Sequence, residues 1–424
     1  MESLTRCKND HYYDNKTYRV CPYCVVIGEE DFKKTVPDGA PPFGGNNKVL
    51  DQRLVEANNG LGFNIFLKLA EAGKGQNLFI SPASIIISLA IAYNGSAGDT
   101  RLAMEKTMQL EGMPMEEINA AFASLLNILQ DPDLGVDLIL ANSLWAREGV
   151  GFNEDFLKRN QDYFRAKIAE LNFNSDDAAS IINKWVSSNT QNRIKGIVDP
   201  PINGDLILYL INAIYFKGQW TETFENRLTK ENSFYLPGGS VKKHPTMFRE
   251  GGFRYLENKL FQAVSLPYGK DARLSMYVFL PAEGIGLEGL YSELGSANWK
   301  RWIDSFGSTK VELGLPRFQF EYASSLKNVL AALGMGLAFD ENRADFSGIR
   351  PLPPMLYFSE VKHKTFVQVN EKGTEAAAAF SMSTSLSLEE LNKRMIVDRP
   401  FFFSIVDNVT GTIIFMGTVL EPKT

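Results

Sequence analysis

The most constraining feature of this 424-residue chain lies near its C-terminus, where Glu-Lys-Gly-Thr-Glu at 371–375 precedes four alanines at 376–379. About 20 residues beyond these alanines, the apolar segment 396–403 reads Ile-Val-Asp-Arg-Pro-Phe-Phe-Phe. One interpretation is a helix start, because alanine is the best helix former and Thr374 can cap a turn. The other is a segment that moves, with a glycine hinge and small side chains before a loose polar stretch. Spacing alone leaves both interpretations open.

Four motifs resemble those of the serpin family. Residues 371–379 resemble the hinge of the serpin reactive-centre loop, and 397–403 resemble the C-terminal signature of the family. Asn-Leu-Phe-Ile-Ser-Pro-Ala-Ser at 77–84 is similar to the start of the second serpin helix. Asn-Ala-Ile-Tyr-Phe-Lys-Gly-Gln-Trp at 212–220 is similar to the strand that ends under the loop hinge. The resemblance identifies residues 47–424 as one serpin domain.

The resemblance implies an α+β fold with a large mixed main sheet, further sheets, about nine helices and an exposed reactive-centre loop at about 371–396. The sequence pattern agrees, since helical spacing of apolar residues comes first and strand-like runs come later. Predicted helices cover 55–70, 85–93, 101–108, 115–129, 154–163 and 178–190. Predicted strands cover 208–216, 263–267, 274–280, 310–315 and 366–369, followed by a hairpin of 401–405 with 412–416.

The resemblance also implies protease inhibition. A serine protease, or a cysteine protease, attacks the loop and forms an acyl-enzyme, and the cut loop then inserts into the main sheet as a new strand. The protease is deformed before hydrolysis is complete, so the two proteins stay in a covalent complex. Glu371 and Gly373 begin the hinge, and Thr374, Ala376 and Ala378 share one strand face, where small side chains ease insertion.

A gate beneath the sheet opening is implied in the same way. Its residues by resemblance are Ser81, Ser84, Asn212, Trp220 and His363. The tryptophan would cover the opening near Gly373, and the other four would hold strands together by hydrogen bonds. Each of these residue types is also an ordinary core residue, so the indication comes from their occurrence together.

Family spacing implies the position of the scissile bond. Counting 17 residues from Glu371 places the carbonyl donor at Ser387 and the leaving side at Leu388, whereas counting back from Pro400 ends at Glu389. The candidate reactive-site residues are Leu386, Ser387 and Leu388. All three suit elastase-, chymotrypsin- or subtilisin-like proteases with an apolar or small specificity pocket.

Several other functions are disfavoured. The chain has no Gly-x-Ser-x-Gly elbow, His-Glu-x-x-His motif or phosphate-binding loop, so it is not predicted to be an enzyme. The net charge is 44 − 50 = −6 with no long basic block, which disfavours nucleic acid. Segment 101–130 has only Arg101 and Lys106 as basic residues, so no heparin-like cofactor is expected. The main alternative is a non-inhibitory serpin that acts as a binding or structural protein.

Localisation and assembly are predicted from what the termini and apolar runs contain. Residues 1–10 are polar and lack the apolar core of a signal peptide, and the longest apolar run, 78–93, is interrupted by serines and a proline. We therefore expect a cytoplasmic monomer without membrane association. Non-classical export stays open.

A separate feature lies in residues 1–28, which contain all three cysteines. Cys7, His11, Cys21 and Cys24 follow the spacing Cys-x3-His-x9-Cys-x2-Cys, and zinc prefers four such ligands in a tetrahedron. The stretch resembles the small zinc ribbons that open many prokaryotic proteins. A disulfide, a redox pair and inert cysteines are the alternatives, although a disulfide would leave an odd thiol. We predict a structural zinc ion in this module.

A linker separates this module from the serpin-like part. Six prolines and glycines lie within the nine positions 37–45. Such a composition cannot hold a regular element and predicts a flexible connection over residues 29–46.

Overall fold

The computed structural model describes residues 4–6, 12–14, 50–73, 75–130, 133–353, 355–374 and 393–424. The chain divides into two compact units, residues 1–48 and 49–424. In the first unit, β1 (Leu4–Arg6) and β2 (Tyr12–Asp14) form an antiparallel pair. The four predicted zinc ligands lie outside the described residues.

The six predicted helices are confirmed in the second unit. Local sequence explains their starts: Asp51 accepts a hydrogen bond from the Arg53 amide, and Ser81 accepts one from the Ser84 amide with Pro82 at the first helical position. Three short helices near the middle of the chain were not predicted. In the described residues the α-helices are α1 (Gln52–Ala72), α2 (Pro82–Tyr93), α3 (Gly98–Met108), α4 (Met115–Gln130), α5 (Glu154–Phe164), α6 (Ala178–Ser188), α7 (Gly286–Tyr291), α8 (Ser296–Asp304) and α9 (Lys327–Leu330).

The predicted strands are confirmed as well, and most extend beyond their predicted ends. The second unit contains β3 (Leu78–Ile80), β4 (Val136–Arg147), β5 (Lys167–Leu171), β6 (Leu208–Gln219), β7 (Lys230–Tyr235), β8 (Val241–Glu257), β9 (Phe261–Tyr268), β10 (Leu274–Pro281), β11 (Gly307–Pro316), β12 (Phe318–Ser325), β13 (Phe358–Asn370), β14 (Gly373–Thr374), β15 (Lys393–Ile396), β16 (Phe401–Asp407) and β17 (Ile413–Val419). Strands β4 and β5 lie between helices along the chain, so the predicted order of helices before strands holds only in part.

One sheet has six strands in the order β12-β13-β14-β6-β4-β5. It is mixed, because β13 pairs with β6 in parallel and with β12 antiparallel, while β4 pairs with β6 antiparallel and with β5 in parallel. We call the boundary between β13 and β6 the seam. The seam is closed over Phe358–Phe366 of β13 and Leu208–Tyr215 of β6, and β14 lies between the two strands beyond that point.

The other large sheet has nine strands, eight of them in the order β15-β11-β8-β9-β10-β16-β17-β3, with β7 paired to β8. Four aromatic side chains from α1, β10, α8 and β16 pack together on it, with ring centroids 5.3 Å apart for Phe66 and Phe402 and 5.5 Å apart for Phe279 and Trp299. All four are buried. We call Phe66, Phe279, Trp299 and Phe402 the aromatic cluster.

A second apolar core lies on the six-stranded sheet. Its buried members include Trp145 of β4, Ile182 of α6 and Ile211 of β6. Helix α6 and the segment after it therefore pack on the β4–β6 side of the seam. Among the described residues, no helix is long and apolar enough to span a membrane.

Candidate functional site

The chain reverses at the upper end of the seam. Asn370, the last residue of β13, pairs with Gly373, so Glu371 and Lys372 form a tight turn between β13 and β14. The Lys372 amide donates to Asn370 Oδ1 at 3.0 Å, which stabilises the turn. Strand β14 runs antiparallel to both β13 and β6. The hinge thus already occupies a place between two strands that pair with each other further down.

Glycine is required at position 373 of this turn. Its φ is +144°, and a Cβ atom there would lie 2.0 Å from the Gly218 carbonyl oxygen of β6. Backbone can approach this closely only without a side chain. Gly373 therefore lets the hinge pair with β6.

Glu371 anchors the turn from a buried position. Its carboxylate accepts hydrogen bonds from Arg317 Nε at 2.7 Å and from Thr229 Oγ1 at 2.5 Å, and Arg317 Nη2 also donates to it. The Glu371 carbonyl oxygen accepts from the Phe224 amide at 2.8 Å. Burial raises the pKa of Glu371, but the hydrogen bonds from Arg317 and Thr229 outweigh it and hold the pKa below its ordinary value.

Thr374 turns fully inward. Its Oγ1 lies 2.7 Å from the hydroxyl of Tyr268 at the end of β9, and both residues are fully buried. Tyr268 in turn stacks on Trp220, with ring centroids 4.4 Å apart. The Trp220 indole nitrogen donates to the Asn370 carbonyl at 2.9 Å, and the backbone amide of Trp220 donates to the Lys372 carbonyl at 2.9 Å. Trp220 therefore lies against the hinge and covers it.

Lower in the seam, polar side chains join β13, β6, β4 and the start of α2. His363 Nδ1 lies 2.5 Å from Asn212 Oδ1, opposite it in the parallel register. The side-chain nitrogen Nδ2 of Asn212 donates to the Ser84 carbonyl at 2.9 Å, to the Ser84 hydroxyl, and to Asn142 Oδ1 of β4 at 2.5 Å. Ser81 Oγ donates to the Ile414 carbonyl of β17 at 2.7 Å. Four of the five residues predicted for the gate are thus joined by hydrogen bonds.

The hydrogen bonds of His363 determine which of its nitrogens carries the proton. The Ser81 amide donates to Nε2 at 3.2 Å, so Nε2 is the acceptor and Nδ1 donates to Asn212. The ring is neutral because both bonds require this form. Complete burial lowers the pKa of His363 to about 3, since a charged imidazole would lose its hydration there.

The structure brings the five residues predicted for the gate into two groups. Ser81, Ser84, Asn212 and His363 are linked by hydrogen bonds, and Trp220 lies at the hinge with Glu371, Gly373 and Thr374. Their inhibitory roles stay predictions. The remaining predicted positions lie outside the described residues, and these are Ala376, Ala378, Leu386, Ser387 and Leu388.

Four residues of the site were missed by the sequence analysis. Asn142 lies on β4, which was not predicted, and Tyr268 lies one residue beyond a predicted strand. Arg317 and Thr229 contact Glu371 across 54 and 142 residues of sequence. No local sequence pattern predicts such partners, because they are brought together by the pairing of strands that are distant in sequence.

Comparison with known proteins agrees with this geometry. Residues 56–422 match the family model described as serpin (serine protease inhibitor). The chain belongs to the serpin family. An uncharacterised serpin-like protein of Thermococcus kodakarensis is 36% identical over 385 residues, which cover 88% of this chain and 87% of that protein. The leukocyte elastase inhibitor of Equus caballus is 33% identical over 387 residues, which cover 88% of this chain and all of that protein.

Solved serpin structures share the fold. The crystal structure of a thermophilic serpin, tengpin, in the native state superposes with a TM-score of 0.81 at 32% identity, covering 88% of this chain and 95% of that one. Serpins are protease inhibitors, generally not enzymes, and they form covalent complexes with target proteases. The six-stranded sheet that contains the seam is therefore a sheet of the serpin fold.

Proposed function

We propose that this serpin inhibits serine proteases by loop cleavage, acyl-enzyme formation and insertion of the cut loop into the six-stranded sheet. One observation carries the proposal: Gly373 and Thr374 already lie between β13 and β6, antiparallel to both. A strand that continued from Thr374 in this direction would enter the seam. The residues that follow, Glu375 and the alanines 376–379, are mostly small, which lowers the barrier to such insertion.

The proposed targets have an apolar or small specificity pocket. Leu386, Ser387 and Leu388 are the proposed reactive-site residues, and the similar protein from Equus caballus is named for inhibition of an elastase. We therefore propose elastase-, chymotrypsin- or subtilisin-like enzymes as partners. A trypsin-like enzyme is disfavoured, since Arg394, the arginine of the proposed loop, lies in β15 and pairs there with Glu312.

The decisive test is covalent trapping. The protein is incubated with elastase, chymotrypsin and subtilisin, and the mixtures are separated by denaturing electrophoresis. A band near the summed masses is expected for at least one enzyme. Protein whose loop has been cut beforehand is the control and forms no such band, because its loop cannot acylate the protease. Clean cleavage without a complex for every enzyme would favour the non-inhibitory alternative.

We also propose that residues 1–28 form a zinc module, joined to the serpin domain through residues 29–46. The donor set supports this, because three thiolates and one imidazole suit a tetrahedral structural zinc site. The pairing of β1 with β2 supports it too: Arg6 lies opposite Tyr12, and in the sequence Cys7 follows Arg6 and His11 precedes Tyr12. So short a module would take most of its folding energy from the metal.

Metal analysis tests the zinc proposal. The full chain is expected to hold one zinc ion, whereas a Cys24→Ser variant and a chain that starts at Asn47 are expected to hold none. Lys184→Ser, in the serpin domain, is the control and keeps its zinc. Equal zinc in the full and shortened chains would contradict the proposal.

A further inference from the structure

The hydroxyl pair of Thr374 and Tyr268 is the one side-chain hydrogen bond between the hinge strand and the nine-stranded sheet among the described residues. The two oxygens lie 2.7 Å apart, and both side chains are fully buried. Tyr268 belongs to β9, so this contact ties the first residues of the loop to a different sheet from the one they enter.

In the described part of the chain, no other group could replace Tyr268 as the hydrogen-bond partner of Thr374. Thr374 Oγ1 has Tyr268 as its single hydrogen-bond partner there, and burial keeps water away from both hydroxyls. The Tyr268 ring is held by stacking on Trp220 and by an edge contact with Phe216, with centroids 4.4 and 5.1 Å apart. A rigid ring therefore presents its hydroxyl at one fixed depth in the seam.

The backbone pairing of the hinge is short. Strand β14 contains two residues, and each pairs with β13 on one side and β6 on the other. Such a short strand is marginal by its backbone bonds alone, so one buried side-chain hydrogen bond is a large part of what holds it in place.

We propose that Tyr268 is a positioning residue that sets how deeply the resting hinge is inserted, and thereby how far the reactive loop is presented to a protease. With the bond intact, the hinge is held in the seam and the loop outside is shortened by the inserted residues. When one hydroxyl is removed and the other is left buried without a partner, the hinge withdraws and the loop lengthens. The inference rests on the proposed function for its biological meaning, but the position of the hinge can be measured without it.

Removing one partner leaves the other hydroxyl buried and unpaired, whereas removing both leaves an apolar contact of similar shape. The first change is costly and the second is nearly neutral. Tyr268→Phe and Thr374→Val are therefore each expected to change the equilibrium constant between the inserted and the withdrawn hinge by about tenfold in favour of the withdrawn one. In the double variant this equilibrium constant is expected to return close to that of the parent. This reversal separates a paired contact from two independent structural effects.

The chain offers a matched control. The hydroxyls of Tyr291 in α7 and Thr418 in β17 also form a tyrosine–threonine hydrogen bond of 2.7 Å, but this pair lies away from the hinge. Tyr291→Phe makes the same chemical change as Tyr268→Phe. It is expected to lower stability by a similar amount without moving the hinge.

Two readouts test the proposal. The first is the rate constant for loop cleavage by limiting subtilisin, which we expect to rise about tenfold in Tyr268→Phe and to stay within about twofold of the parent in Tyr291→Phe and in the double variant. The second is amide hydrogen exchange of a peptide that spans the turn at Glu371 and Lys372. Exchange there is expected to be faster in each single variant of the Tyr268–Thr374 pair and normal in the double variant. Melting curves verify folding, and Thr374→Val supplies the test if Tyr268→Phe does not fold.

Equal cleavage rates for Tyr268→Phe and Tyr291→Phe would overturn the proposal, as would effects of the two single variants that simply add in the double variant. Failure of the proposed function looks different. In that case hinge exchange and loop cleavage follow the expected pattern, but the parent forms no covalent complex with any protease.

Discussion

The seam and the aromatic cluster are both fully buried, but they are held by different forces. The seam is joined by directional bonds between Asn212, His363, Ser84 and the hinge, each with a defined donor and acceptor. The aromatic cluster is held by apolar packing of rings such as Phe66 and Phe402, which have no polar atoms to satisfy. Polar partners can be exchanged for others when strands separate, whereas a packed apolar core loses its contacts outright. The comparison supports the proposal that the seam is the region of this serpin that opens.

The largest expected effect comes from a charge placed in the seam. Thr374 is already buried in the seam, so Thr374→Arg forces the hinge outward, and insertion of the loop then requires burial of an unpaired cation at a cost of several kcal/mol. Acylation involves only the proposed scissile bond near Ser387, so the loop should still be cut while active protease is recovered. Covalent complex should fall to near zero in denaturing electrophoresis. Thr374→Ser is the control and should keep the complex; a complex at parental stoichiometry in the arginine variant would mean that inhibition does not need insertion.

Phe402→Ala should have the next largest effect, and it should act on stability alone. The substitution removes a ring from the centre of the aromatic cluster and leaves a cavity, so the free energy of unfolding should fall by about 3–5 kcal/mol. Denaturant unfolding measures it. Phe402→Leu, which refills most of the space, should cost clearly less. Because the cluster lies away from the seam, the stoichiometry of inhibition should stay at the parental value, and a change there would contradict the division into two regions.

Lowering the pH should weaken the seam through His363. Its pKa is about 3 in the folded protein and near 6.5 when unfolded, so below pH 6.5 the unfolded chain binds the extra proton. The contribution of His363 to the free energy of unfolding is complete above pH 6.5. It is lost as the pH falls, by about 1.4 kcal/mol per pH unit. Between pH 6.5 and 4.5 the parent should therefore lose about 2 kcal/mol more than His363→Gln. Burial also lowers the pKa of His244, which is common to both proteins and cancels in the difference. Parallel pH profiles would show that His363 does not couple to unfolding.

Glu371→Gln should have the smallest effect. The amide keeps the shape of the carboxylate but loses its charge opposite Arg317, which is 37% exposed, so the expected loss is about 1 kcal/mol at pH 7. The pKa of Glu371 is depressed, and its contribution is therefore present above pH 4.5 and lost as the pH falls further. Unfolding at pH 7 and pH 4 measures the difference. Glu225→Gln breaks an exposed pair with Arg227 and should change nothing measurable.

Much of this arrangement was predictable from the sequence. The start of α2 could be predicted because a serine cap and a proline at the first helical position are local signals, which act on residues close to them in sequence. The hinge was readable for the same reason, since Gly373 and the alanines form one contiguous motif. Thr374 lies in a strand, and residues 375–379, for which a helix was the other interpretation, lie outside the described residues.

What could not be predicted depends on contacts between distant parts of the chain. Asn142 of β4 lies opposite Asn212 because β4 pairs with β6, and its Oδ1 accepts a hydrogen bond from the Asn212 side chain. Asn212 and His363 lie 151 residues apart and meet through the parallel register of β6 and β13. Arg317 lies beside Glu371 because of the tertiary arrangement of the strands, and this arrangement cannot be predicted from the spacing of nearby residues.

The register at the hinge also sets an order of events. Thr374 lies opposite Gly218 on β6 and Val369 on β13, and Asn212 and His363 are each six residues further down their strands. If the loop follows the same antiparallel alignment, Phe380, six residues after Thr374, comes level with both gate residues at once. The alanines 376–379 therefore pass through the upper part before any bond between Asn212 and His363 has to break. In this alignment the residues from Ala377 onward displace the backbone pairs that close the seam below Phe366 and Tyr215, and the bulky apolar Phe380 is the residue that reaches the gate. We therefore expect the slow step of insertion at the seventh inserted side chain, counting Thr374 as the first.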